Sequence, residues 1–166
     1  MSCLKCVKPV SRKQLDWDTY FLDITKSVAT RSTCLRVPSG VGAVLVLDRQ
    51  ILSTGYCGSI KGTEHCTEVG CLIDEVTGGC VRTVHAEINA LIQAARPVKG
   101  ATCYCSMSPC WDCFKALANA GVTRMVYAVE YRIIERQKMF AAQCGIKFEH
   151  LGTGVYTGST KKKEER

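Results

Sequence analysis

Apolar residues first recur at helical spacing within residues 16–32, where Trp17, Phe21, Ile24 and Val28 fall three and four positions apart and so share one helix face. Pro38-Ser39-Gly40 then breaks the chain. Two apolar runs, residues 41–47 and 51–56, flank the polar Asp48-Arg49-Gln50, the pattern of a β-hairpin. From residue 57 to 83 no period survives. Gly58, Gly62, Gly70, Gly78 and Gly79 punctuate a segment that also holds His65, Cys66, Cys71 and Cys80. So long a loop in a compact domain needs something to order it, and a bound metal would do so.

Periodicity resumes at Val84. Ala86, Ile88, Ala90, Leu91 and Ala94 predict a helix stopped at Arg96-Pro97. Residues 101–107 read as a buried strand, 110–120 as a helix closed by Gly121, and 124–129 as a strand. A helix over 133–142, stopped at Cys144-Gly145, leads to a last strand at 146–149. Strands alternating with helices imply parallel pairing through crossover helices. The fold class is α/β, a mixed sheet with helices on both faces. A single domain over 1–166 is expected, with its core at about 15–150 and a tail at 151–166.

Composition adds constraints. A chain of 166 residues with 46% hydrophobic and 22% charged residues suits one soluble domain. No apolar run approaches the roughly 18 residues of a membrane span. The first ten residues lack an apolar centre, so no secretory signal is read and a cytoplasmic location is expected. The formal charge of +7 comes partly from Lys161, Lys162, Lys163 and Arg166, which read as a solvated terminus. The remaining excess suits an anionic small molecule as well as a polynucleotide. With 7% aromatics and no basic-aromatic stretch, a nucleic-acid groove is not expected.

Twelve cysteines change the picture more. Without a secretory signal, and with histidines beside them, metal ligation accounts for them better than a disulfide framework. Cys103 and Cys105, in an apolar run, read as small hydrophobes. The informative pieces are His85-Ala86-Glu87 and Ser108-Pro109-Cys110-Trp111-Asp112-Cys113, each where a strand or loop leads into a helix. Cys110 and Cys113 have the two-residue gap that lets both thiolates reach one ion, and His85 supplies a third ligand. Zinc then keeps a fourth position for water, whose pKa falls toward about 7. Glu87 need not ligate, and its task is to move protons. Alone, C-x-x-C also fits a redox pair or half of a structural zinc site, and His-x-Glu occurs by chance. Together, in this order, they match the H-x-E, P-C-x-x-C signature of zinc nucleobase deaminases.

Three further stretches carry a closer likeness: Gly55-Tyr56-Cys57-Gly58-Ser59, His65-Cys66-Thr67-Glu68-Val69-Gly70-Cys71, and residues 80–87 leading into His85-Ala86-Glu87. With them the chain resembles deoxycytidylate (dCMP) deaminases, bacterial late-competence and phage-type members included, over about residues 17–149. The resemblance implies a three-layer cytidine-deaminase-like fold with a five-stranded sheet. It implies conversion of dCMP to dUMP and ammonia, with zinc-bound hydroxide attacking C4 and Glu87 as the proton carrier, feeding thymidylate synthesis. It also implies a homo-oligomer, often a hexamer, activated by dCTP with Mg2+ and inhibited by dTTP.

For the substrate, the resemblance points to Cys57, Ser59, Ala86, Ser106 and Tyr131. Trp111 is a second flat neighbour for the base, and Ser59, Lys61 and Arg36 are candidate phosphate donors. Family members carry asparagine where Cys57 stands, and a thiol is the weaker hydrogen-bond partner. The nucleotide form, dCMP or another such as dCTP, is therefore open on this evidence of residues alone, with a polynucleotide cytosine deaminase as a remoter alternative. Val37-Pro38-Ser39-Gly40 looks like a short insertion. Some family members hold a structural zinc on the long loop. The matching residues are Cys34, His65, Cys71 and Cys80, with Cys66 competing for one place, a closed N/S set of the structural kind.

Overall fold

A computed structural model of the chain describes residues 13–131 and 134–155, the side chains of 153–155 excepted. The basic tail at 161–166 and the expected helix start at Ile133 lie outside the described residues. Helix α1 (Trp17–Ala29) starts on Asp16, whose carboxylate accepts the Thr19 N–H at 2.9 Å, a short acceptor at an N-cap. It ends three residues before the periodicity suggested. Thr30, Arg31 and Ser32 bond to carbonyls three residues back, which tightens the last turn. Phe21 is buried and Ile24 and Val28 partly so, whereas Trp17 is 48% exposed.

Strands β1 (Gly42–Leu47) and β2 (Gln50–Tyr56) form the expected hairpin. Asp48 and Arg49 turn it with φ of 51° and 62°, the left-handed pair that matches the twist of the flanking strands. The segment read as formless holds elements too short to show a period. These are β3 (Gly58–Ser59), helix α2 (Cys66–Val69), a lone bridge between Ile73 and Cys80, and β4 (Thr83–Val84), which pairs with β3. Then follow α3 (Ala86–Gln93), β5 (Thr102–Met107), α4 (Trp111–Asn119), β6 (Arg124–Glu130), α5 (Glu135–Cys144) and β7 (Lys147–Val155). Strand β7 runs six residues past the expected end, pairing with β6 across a register shift near Tyr127.

The sheet order is β2-β1-β5-β6-β7. β1 is antiparallel to both neighbours, while β5, β6 and β7 are parallel. Alternation along the strands sends side chains to two cores. Val44, Val46, Tyr104 and Val126 meet Phe21 and Leu22 of α1 on one face. Ala43, Leu45, Cys103, Cys105, Met125 and Tyr127 meet Ala86, Ala90, Phe114, Leu117 and Ala141 of α3, α4 and α5 on the other. The result is three layers. Helix α3 lies so close to β2 that a Cβ on Gly55 would collide with the Ala86 carbonyl oxygen and the Ala90 nitrogen. Helix α1 is fastened by Arg124, which grips Asp18 with two nitrogens at 2.6 and 2.8 Å and also pairs with Glu149. Among the described residues no helix is long and apolar enough to cross a membrane.

Candidate active site

Two chain segments end at nearly the same point. Val84 closes β4, and His85 becomes the N-cap of α3 with φ −71° and ψ 154°. Met107 closes β5; after Ser108-Pro109, Cys110 becomes the N-cap of α4 with φ −67° and ψ 171°. Neither side chain caps its own helix, so both stay turned to the space between the two helix starts. His85 Nδ1 lies 3.4 Å from Cys110 Sγ and 3.4 Å from Cys113 Sγ. A tetrahedral zinc centre with the usual Zn–N and Zn–S bonds separates adjacent nitrogen and sulfur ligands by about 3.6 Å. The three side chains therefore fit zinc without rearrangement, and the positive ends of two helices favour thiolate there.

The thiols are unequal. The Cys113 hydrogen bond, helped by His85 and opposed by burial, draws the Cys110 pKa down to about 4, while Cys113 is pushed far up by the same bond and by burial. Glu87, on the first turn of α3, is only 4% exposed. Burial raises its carboxyl pKa, the His85 charge opposes the rise, and the Cys113 thiol bonds to it. A raised carboxyl pKa brings the group nearer the working pH, where it can both accept and give up a proton.

Glu87, His85 and Cys110 line one cavity of about 300 Å³, large enough for a small ligand, with Cys113 buried behind them. Tyr131, Trp111, Arg36 and Cys57 also line it. Trp111 stacks on Phe114 at 5.8 Å, with Arg136 5.4 Å from its ring. The Cys57 thiol receives the Ala86 N–H and is pushed well up by burial. Arg36 donates to the Gly78 carbonyl, which ties residue 36 to the long loop. Four expected substrate contacts do not line this cavity, and one of them, Ala86, is fully buried in the core. Ser106 sits on the α1 side of β5, beside Tyr104 in the alternation, and its hydroxyl accepts the Gly42 N–H at 3.0 Å. Ser59 and Lys61 line a separate hollow beside β2 and α3.

The second cluster also differs from the set expected. Cys66, Cys71 and Cys80 bring their sulfurs within 4.8 Å of one another, with Cys66 and Cys80 3.6 Å apart. His65 is occupied otherwise: its Nδ1 is 3.1 Å from the Thr33 hydroxyl and its N–H donates to Glu68. Cys34 lines the active cavity instead. The His65-x-x-Glu68 spacing was the available sign, since it marks a helix start with residue 66 on the first turn. Burial pushes Cys71 up to about 11. For Cys80 burial is outweighed by bonds from Thr83, the Arg82 N–H and Cys66, which bring it to about 7. Cys80 lines the active cavity as well, so the two clusters share a wall.

Ligands of this type beside a buried glutamate, at the carboxyl end of a parallel strand in a three-layer sheet, define a hydrolytic deaminase. Residues 15–129 match the family described as the cytidine and deoxycytidylate deaminase zinc-binding region, and the chain belongs to that family. It is 35% identical over 142 residues to ComE operon protein 2 of Bacillus subtilis, covering 84% of this chain and 73% of that one. It is 40% identical over 125 residues to the deoxycytidylate deaminase of Mycobacterium phage D29, covering 69% of this chain and 96% of the phage protein. The crystal structure of the dCMP deaminase from cyanophage S-TIM5 in complex with dCMP and dUMP superposes with a TM-score of 0.69. That match is at 27% identity and covers 84% of this chain and all of that one.

Proposed function

We propose that this protein hydrolyses the exocyclic amine of dCMP, giving dUMP and ammonia, and so supplies dUMP for thymidylate synthesis. The observation that carries the reading is Glu87, which lines the same cavity as His85 and Cys110 and bonds to Cys113, the third member of their cluster. A structural metal site has no use for it. The phage relative's name and the ligands of the cyanophage enzyme point to dCMP among cytosine nucleotides.

His85, Cys110 and Cys113 would hold a zinc ion, which supplies a Lewis acid that makes water a nucleophile near neutral pH. Glu87 takes a proton from the attacking water and passes it to the ring nitrogen N3, then takes the second from the hydroxyl now on C4 and delivers it to the departing amine. A C4–O bond forms, the C4–N4 bond breaks, and ammonia leaves. Tyr131 and Trp111 offer flat faces to the base, and Arg36 is the cation for the 5′-phosphate. Cys66, Cys71 and Cys80 would hold a second, structural zinc. Exposed Leu72, Ile73, Val76 and Val81 support a homo-oligomer; dCTP activation with Mg2+ and dTTP inhibition belong to the same reading.

One observation favours a second reading of the substrate. Cys57 places a thiol, already engaged by Ala86, where an amide is expected, which fits another cytosine nucleotide such as dCTP. The test is turnover of dCMP, dCDP, dCTP, deoxycytidine and CMP in parallel by zinc-replete protein. Preference for dCMP supports the main reading; preference for dCTP replaces it.

A further inference from the structure

Five described polar or charged residues are buried: Thr25, Ser53, Glu87, Ser108 and Gln137. A buried polar side chain is costly unless its hydrogen bonds are made. Thr25 and Ser53 give their hydroxyls to the helix carbonyls of Leu22 and Ala90 at 2.7 Å each, and Glu87 is the proposed proton carrier. Ser108 and Gln137 remain, and both converge on the turn that presents Cys110.

Ser108 follows the last residue of β5. Its N–H still reaches the Val129 carbonyl at 2.8 Å, but Pro109 has no N–H with which to continue the pairing. The Ser108 hydroxyl takes over. It accepts the Tyr131 N–H at 2.8 Å and donates to the Tyr131 carbonyl at 3.2 Å. One hydroxyl thus holds both backbone groups of Tyr131, which lines the cavity beside it. Gln137, 4% exposed on α5, gives its Nε2 to the Pro109 carbonyl at 3.2 Å. That carbonyl precedes the Cys110 N-cap and has no partner inside α4.

We propose that Ser108 and Gln137 are positioning residues: Ser108 sets Tyr131 at a fixed distance from the metal-binding turn, and Gln137 aims that turn. Groups behind a metal ligand are worth roughly 10–100-fold in metal affinity or activity. The substrate half of the inference rests on the dCMP reading; the metal half does not.

The two halves separate experimentally. In Ser108→Ala, Tyr131 loses both bonds while the metal turn keeps Gln137. KM for dCMP should rise about tenfold, the order expected when part-buried hydrogen bonds are lost, with kcat changing less than about threefold and zinc content unchanged. Ser108→Thr, which keeps the hydroxyl, should recover most of the loss. In Gln137→Met, of similar shape but without a donor, zinc affinity in chelator competition should fall about tenfold, and the thiolate-to-cobalt bands of the cobalt-substituted protein should shift. Wild-type KM in Ser108→Ala overturns the Ser108 role, and a lowered Tm alone in Gln137→Met overturns that of Gln137. A wild-type protein inert toward dCMP overturns the substrate reading instead, while the chelator and cobalt measurements still decide the Gln137 half.

Discussion

Replacing Cys66 by serine removes one of three sulfurs that lie within 4.8 Å of one another. A metal on Cys66, Cys71 and Cys80 would act as a cross-link closing residues 66–80, a loop of 15 residues. Closing a loop of that size is worth about 3 kcal/mol in the chain-entropy treatment. At about 2–4 °C per kcal/mol for a domain of this size, the variant should melt roughly 6–12 °C lower. Because Cys80 also lines the active cavity, KM for the nucleotide should rise together with the fall in Tm. Elemental analysis is the sharper assay: two zinc ions per chain in the wild type and one in Cys66→Ser. His65→Ala and Cys34→Ser should keep two, since neither side chain belongs to the trio. One zinc in the wild type, or two in Cys66→Ser, refutes the reasoning.

Two further predictions concern the scaffold. The Asp18 carboxyl is held below its ordinary value by the Arg124 hydrogen bonds, with burial opposing and the Tyr104 hydroxyl assisting. A lowered folded pKa contributes stability that is present above the unfolded value of about 3.9 and is lost as pH falls through the folded one. Arg124→Met should therefore cost about 1–2 kcal/mol at pH 7, allowing for partial exposure. The gap between variant and wild type should narrow in urea titrations as pH falls below the unfolded value and through the folded one; a gap independent of pH would contradict the assignment. Gly55→Ala should cost about 1–3 kcal/mol by pushing α3 off β2, read as a lower midpoint of urea unfolding with an unchanged slope.

The sequence shows most where one residue type has one physical use. His85, Glu87, Cys110 and Cys113 stand out because their order and gaps suit one ion and one proton carrier; the structure brings His85, Cys110 and Cys113 together, and His85, Glu87 and Cys110 line one cavity. The hairpin and the helices followed from periods long enough to repeat. Strands β3 and β4 have two residues each, too few for any period. The end of β7 hid behind His150, Gly152 and Gly154, residues typical of an edge rather than a core strand. Ser106 could have been rejected from sequence, since alternation puts it with Tyr104 and away from Cys103, Cys105 and Met107. Choosing Cys66 over His65 needed the local turn of α2. The roles of Ser108 and Gln137 depend on partners 23 and 28 residues away, which no local pattern reveals.

The central claim is hydrolytic deamination with Glu87 as the proton carrier. Its most direct measurement is dUMP and ammonia released from dCMP by wild type and by Glu87→Gln, with zinc counted in both. The account predicts equimolar products from the wild type, and a fall of at least about a thousandfold in Glu87→Gln with zinc content unchanged. Near-normal turnover by Glu87→Gln at full zinc content would contradict it.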